Sequence, residues 1–181
     1  LSGGPAPHRI FPDLAAENRA LGILIRAGGL LILHRPLEET LDTMLDLALE
    51  IGDGAIWANA SRSYIPTQVA RIPADRRGTF SLANMVPTVI DADRDAARAI
   101  HRRTLGGYVL LPNYRNYLKQ AGYEEEMVAI ETALDAGDRD AVAAAMTDRW
   151  LDDCTISGGP TEVRDQLEAW FDCGVLPIAV M

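Results

Sequence analysis

Apolar positions along the chain change their period in a regular order, and each period predicts an element. Residues 22–33 are apolar on both faces and rich in Ile and Leu, the pattern of a strand buried in a parallel sheet. His34, Arg35 and Pro36 bound that run, and Pro36 opens a helix at a position where its missing N–H costs nothing. Leu37, Leu41, Met44, Leu45, Ala48 and Leu49 then recur at spacings of three and four, one apolar stripe on a helix. Glu38 and Glu39 fall in its first turn, where carboxylates complement the helix dipole. Gly52 ends the helix, and residues 54–58 predict the next strand.

A polar loop, residues 59–78, is longer than a plain connection needs. Residues 80–90 predict a third strand, and Asp91 and Asp93 offer N-caps for a helix through Thr104. From 108 to 150 the signals are helical, with helices over 114–121, 124–136 and 140–146 punctuated at Gly122 and Gly137-Asp138. A last helix, 161–173, carries the stripe Val163, Leu167, Trp170 and Phe171. Gly174 closes it at the usual left-handed cap, and residues 175–180 form a closing strand. Residues 1–20, with Pro5, Pro7 and Pro12, predict a loop or short helix leading in.

Strand and helix thus alternate, which indicates a parallel α/β architecture in one domain spanning residues 1–181. Four strands make half of an eight-stranded TIM-type barrel, here with extra helices toward the C-terminus. A half (β/α)8 barrel leaves two sheet edges and an apolar inner face to be covered. It must pair with another copy, pair with a missing half, or close differently. Parallel pairing is expected among the segments around Ile32, Ile56 and Ile178.

Composition narrows the function classes. A formal charge of −9 excludes a nucleic-acid binder, because phosphate recognition needs a basic face. Sixteen of the 17 basic residues are arginine, Lys119 being the exception, a bias that reflects base composition better than sixteen binding roles. Cys154 and Cys173 are too few for a disulfide scaffold and fit no metal spacing, so two buried thiols in a reducing cytoplasm are expected. The longest apolar stretch, 21–33, is interrupted by Arg26, Gly28 and Gly29 and is too short to cross a bilayer. Leu1 stands where a Met would start a chain, and the beginning reads as a cut or processed end.

Three phrases carry a family resemblance. Met44-Leu45-Asp46-Leu47-Ala48-Leu49-Glu50-Ile51-Gly52-Asp53-Gly54-Ala55-Ile56 joins an apolar helix face, a glycine break, an aspartate turn and a buried strand. It resembles the M-L-x-L-A-x-E-x-x-D-G phrase of the luciferase-like family of flavin- and deazaflavin (F420)-dependent oxidoreductases. Thr155 to Leu167, with Gly158-Gly159-Pro160, followed by Cys173-Gly174-Val175, is similar to the family's closing G-x-P-x-x-V-x-x-x-L helix and G-V strand. Between them, Pro112-Asn113-Tyr114-Arg115-Asn116-Tyr117-Leu118 with Ala121-Gly122-Tyr123 resembles a P-x-Y-x-x-Y-L…A-G-[FY] stretch of the deazaflavin-linked branch. The resemblance implies the latter half of such a barrel, FMN or F420 as cofactor, a small-molecule substrate and a homodimer. The family's N-terminal half normally supplies most contacts to the ring, and no counterpart of it is found in this sequence.

Candidate site residues follow. Ala27, Gly28 and Gly29 fit the wording of a family strand end, and the glycines either let backbone N–H groups approach a cofactor phosphate or simply make a tight bend. Trp57 and Asn59 lie at the C-terminal end of a barrel strand, where barrels keep their chemistry, although Trp57 also suits a core. Arg62 and Tyr64 begin the long loop and are candidates for substrate contact. His34, His8 and His101 lack partners that would make them acids or bases. Asp91, Asp93 and Asp95 lack the glycine and distal glutamate of a calcium loop, so helix capping explains them better and no metal site is expected. No Ser, Cys or Lys has a partner set for covalent catalysis, so redox chemistry would come from a bound cofactor. Two competing classes stay open: a non-catalytic half-barrel that dimerises and binds a ligand at the joint, and a mostly helical interaction module.

Overall fold

A computed structural model describes residues 45–181. The strand expected at 22–33, the helix start at Pro36, and Ala27, Gly28, Gly29, His8 and His34 lie outside the described residues.

Residues 45–51 form helix α1, which turns through Gly52 and Asp53 into β1 (Gly54–Ala58). Gly54 is dictated by this junction: a Cβ there would collide with the backbone carbonyl of Ser81 on the neighbouring strand. The expected long loop contains a helix, α2 (Ile65–Ala70), begun by Pro66 in its first turn and buried through Ile65 and Gln68. Its six residues are too short to show an apolar period. Next come β2 (Ser81–Ile90) and α3 (Arg94–Gly106). Four helices follow, α4 (Pro112–Gln120), α5 (Glu124–Asp135), α6 (Arg139–Ala145) and α7 (Asp148–Cys154). The chain closes with β3 (Ile156–Gly158), α8 (Pro160–Asp172) and β4 (Leu176–Val180).

Asp93 caps α3 by accepting from the N–H groups of Asp95 and Ala96, and Asp91 accepts from Asp93 N–H. Of this acidic run only Asp93 caps the helix; Asp91 steadies Asp93, and Asp95, in the first turn, pairs with Arg98 at 3.6 Å. The three-residue strand β3 escaped the sequence pattern because it is too short to alternate. It is held by Gln166, whose side-chain amide donates to Ser157 O at 2.7 Å and accepts from Ser157 N–H at 3.3 Å, a substitute for a neighbouring strand.

All described pairings are parallel. β2 is central: β1 pairs with residues 81–85 and β4 with 83–87, so the two flank it, and β3 pairs with its C-terminal end. The segments around Ile56 and Ile178 lie in one parallel sheet, but each pairs with β2 and not with the other, because β2 stands between them; that around Ile32 is outside the described residues.

Register assigns the faces. Trp57 and Asn84, Val86, and Thr88 with Ile156 point toward the helices. There Val86 and Ile156 join Leu105, Val109, Trp150, Leu151 and Trp170 in one fully buried core. Truncating either tryptophan to alanine would cost about 3–5 kcal/mol. A smaller cluster, Leu45, Ile72 and Phe80, seats α1. The opposite face carries Ile56, Ala83 and Leu176 in one row and Ala58, Met85 and Ile178 in the next, with Val180 beyond. Ile56 is 68% exposed, Leu176 53% and Met85 41%. This is the apolar inner face that half a barrel must present.

Candidate functional site

The C-terminal end of β1 organises the site. Asn59 continues the ladder by donating its N–H to Met85 O, then turns the chain in the left-handed region at φ 58°. Asparagine tolerates that conformation better than other residues with a Cβ. Asn84, fully buried on β2, accepts from Ala60 N–H at 3.2 Å and so fixes the turn from the adjacent strand. The amide nitrogens of Asn59 and Asn84 have no acceptor among the described residues.

The loop that follows is fastened from the helical side by one carboxylate. Asp153, at the end of α7, accepts from Ser61 Oγ at 2.5 Å, Ser63 Oγ at 2.8 Å, Tyr123 Oη at 2.7 Å and Ser63 N–H at 3.0 Å. Its backbone carbonyl accepts from Arg62 N–H at 3.0 Å, and Tyr117 Oη accepts from Ser61 N–H at 3.0 Å. Burial pushes the phenols of Tyr117 and Tyr123 well above their ordinary value, and the Asp153 carboxylate adds to this. Both therefore stay protonated, as a donor to Asp153 must. Tyr64 packs edge-on against Tyr117 with ring centroids 5.9 Å apart.

A cavity of about 470 Å³ lies beside β1. Successive strand residues Ala55 to Ala58 line it, so it follows the strand's edge, and Asn113, Tyr114 and Tyr117 of α4 close it from the other side. Trp57 lines this wall and also packs against both apolar clusters, as its core reading expects. Burial raises the Tyr114 phenol as well.

The remaining candidates separate from the cavity. Asn59 turns toward Leu105, Tyr108 and Trp150 in the interior. Arg62 places its charge near Cys154 and Cys173, where it lowers both thiols against the larger upward effect of burial. Tyr64 is half-buried against Tyr117. Of the thiols, Cys154 is buried, but Cys173 is only partly so, because it stands at the end of α8. His101 is buried and its Nε2 lies 3.2 Å from Ile156 O, a structural bond between α3 and β3. At Gly158-Gly159-Pro160 the Gly159 N–H donates to Glu162 Oε2 at 2.8 Å, so the helix start is capped from within.

Sequence reasoning overlooked Asp153, which no local motif marks. Tyr114, Tyr117 and Tyr123 were visible in the P-x-Y-x-x-Y-L…A-G-Y phrase, but as a signature and not as site residues.

Comparisons with known proteins agree with this architecture. The family model described as luciferase-like monooxygenase matches residues 40–176. The 5,10-methylenetetrahydromethanopterin reductase of Archaeoglobus fulgidus is 29% identical over 148 residues, 75% of this chain and 44% of that protein. The solved structure of coenzyme F420 dependent tetrahydromethanopterin reductase from Methanopyrus kandleri superposes with a TM-score of 0.61 at 23% identity. It shares the TIM-barrel-type fold, and the match covers 76% of this chain and 42% of that one. The chain spans less than half the length of either relative.

Proposed function

Because the chain belongs to the luciferase-like monooxygenase family, we propose that it serves an F420- or flavin-dependent oxidoreductase acting on a small organic substrate. Both relatives are reductases and one is named for coenzyme F420, which favours F420 over FMN and hydride transfer over oxygen insertion. The observation that carries this reading is the cavity at β1. Ile56, Trp57, Tyr114 and Tyr117 form apolar and aromatic walls, and Asn113 offers an amide. Such a lining suits a planar heterocycle, which gains from aromatic contact and from exclusion of water.

The described lining contains no Arg or Lys. It fits the ring of such a cofactor and not an anionic tail, whose phosphate would need other groups; Ala27, Gly28 and Gly29 remain the candidates for it. When bound, the cofactor would supply the hydride chemistry. This chain would supply the wall against the ring through Trp57 and Tyr114, and a fixed loop, Ser61 to Tyr64, beyond it. Arg62 and Tyr64 remain candidates for substrate contact from that loop. Two free thiols suit a reducing cytoplasm.

The test is a titration of F420 and of FMN into the protein at its full natural length. Saturable binding with a change in cofactor absorbance is expected, and Trp57→Ala should weaken it about tenfold, a loss of about 1.4 kcal/mol. Absence of binding by both cofactors would remove the proposal.

A second reading is favoured by one specific observation, the exposed apolar sheet face bearing Ile56, Met85, Leu176 and Ile178. In it the chain is half a barrel that forms a homodimer through that face and holds a small ligand at the joint.

A further inference from the structure

A second concavity lies on the helical side and shares no lining residue with the cavity at β1. It has a volume of about 800 Å³ and runs between the last turn of α3, the end of α5 and α6. That is within the range of about 300–1,000 Å³ usual for small-molecule sites. Its walls are apolar: Ala133, Leu134, Val142 and Met146 line it, and Leu110, 57% exposed, stands at its side.

Three arginines border this groove, in a chain of net charge −9. Arg102 is committed, donating to Met146 O at 3.1 Å and to Asp148 Oδ1 at 2.6 Å. Arg103 and Arg139 are exposed, and among the described residues neither has a carboxylate or carbonyl partner. Arg103 sits in the last turn of α3, where the helix dipole welcomes a cation. Arg139 does not have that excuse: it opens α6, where the dipole disfavours positive charge. The one acidic side chain in the lining, Asp138, is engaged in accepting from Ala141 N–H at 2.9 Å. Two guanidinium groups with their forks free, beside an apolar trough, match a ligand with an anionic head and an apolar body.

We propose that this groove binds an amphipathic monocarboxylate, its carboxylate taken by Arg103 and Arg139 and its aliphatic body laid against Leu110, Ala133, Leu134 and Val142. This goes beyond the redox reading and does not depend on it.

Decanoate, decanol and acetate serve as probes, followed by amide chemical shifts. Decanoate should bind saturably and shift the amides of Leu110, Ala133 and Val142. Decanol lacks the charge and acetate lacks the body, and both should bind at least about tenfold more weakly, about 1.4 kcal/mol. The double variant R103Q/R139Q should lose decanoate binding by a similar factor, whereas R94Q, outside the groove, should leave it unchanged. R103K/R139K keeps the charge without the fork and should fall between; since both side chains are exposed, its thermal unfolding should match that of the parent. Equal binding of decanol, unchanged binding by R103Q/R139Q, or shifts confined to Ile56, Met85 and Ile178 on the sheet would each overturn the proposal.

Discussion

Asp153 shows how much one carboxylate decides at the scale of a residue. It accepts four hydrogen bonds, from positions 30, 90 and 92 residues away in sequence, and thereby holds the loop that leaves β1. Hydrogen bonds to an ionised group are worth about 1.5–3 kcal/mol each, and unpaired donors near the surface recover part of that from water. Asp153→Ala should therefore lower stability by about 2–3 kcal/mol in urea denaturation. It should also speed amide exchange at Ser61 and Ser63 more than in the core helices; unchanged exchange there would deny Asp153 its fastening role. His101 makes a pH-dependent contribution of known sign. Burial lowers its pKa below the ordinary 6.5, outweighing its bond to Ile156 O and the nearby Asp152 charge. The unfolded chain then binds more protons than the folded one as pH falls below 6.5, so this contribution is complete above that value and is lost as pH falls through the depressed native one. His101→Asn should flatten the fall in urea midpoint between pH 7.5 and 5.5.

At the scale of elements, the turn from α1 into β1 depends on the absence of a side chain. The D-G of the helix-to-strand phrase is needed because Gly54 lies against the Ser81 carbonyl, to which Asp53 adds a ladder bond by accepting from Ser81 N–H at 2.8 Å. Gly54→Ala must push β1 from β2, a cost of about 1–3 kcal/mol by analogy with overpacked cores. The expected readout is a lowered midpoint of thermal unfolding, with near-native circular dichroism at low temperature. A variant as stable as the parent would mean that the two strands separate without penalty. The α4–α5 pair has a different fastening. Glu131 accepts from Lys119 at 2.7 Å and from Arg115 at 3.1 Å, and these bonds hold its carboxyl below the usual range.

For the whole molecule, the central fact is a sheet with one face packed and one exposed. Helices cover Val86 and Ile156, while Ile56, Met85, Leu176, Ile178 and Val180 remain partly open to water. An apolar patch of several large side chains marks an interaction surface. If the homodimer reading holds, residues 1–181 alone should sediment as a dimer at micromolar concentration. The variant I56K/I178K should sediment as a folded monomer. A stable monomer of the unaltered chain would remove the second reading and leave the oxidoreductase proposal untouched. Among the described residues no helix is long and apolar enough to cross a membrane.

What the sequence determined by itself was whatever depends on local period and punctuation. The apolar positions Val163, Leu167 and Trp170 on α8, the cap at Asp93, the strands β1, β2 and β4, and the parallel α/β class all follow from spacing that near neighbours enforce. Phe171, expected in the same stripe, is instead 55% exposed, and Asp91 accepts from Asp93 N–H rather than capping the helix. The family phrases were legible for the same reason, since turns and helix starts are written in consecutive residues. Tertiary structure alone decided the rest. β3 and α2 are too short to carry a period and exist because Gln166 and the core hold them. Asp153 reaches Ser61 and Ser63 only once α7 is packed beside the loop that leaves β1, and Arg103 and Arg139 border one groove only once α3 and α6 are packed together. Such pairings are set by how elements pack, and one-dimensional spacing does not record it.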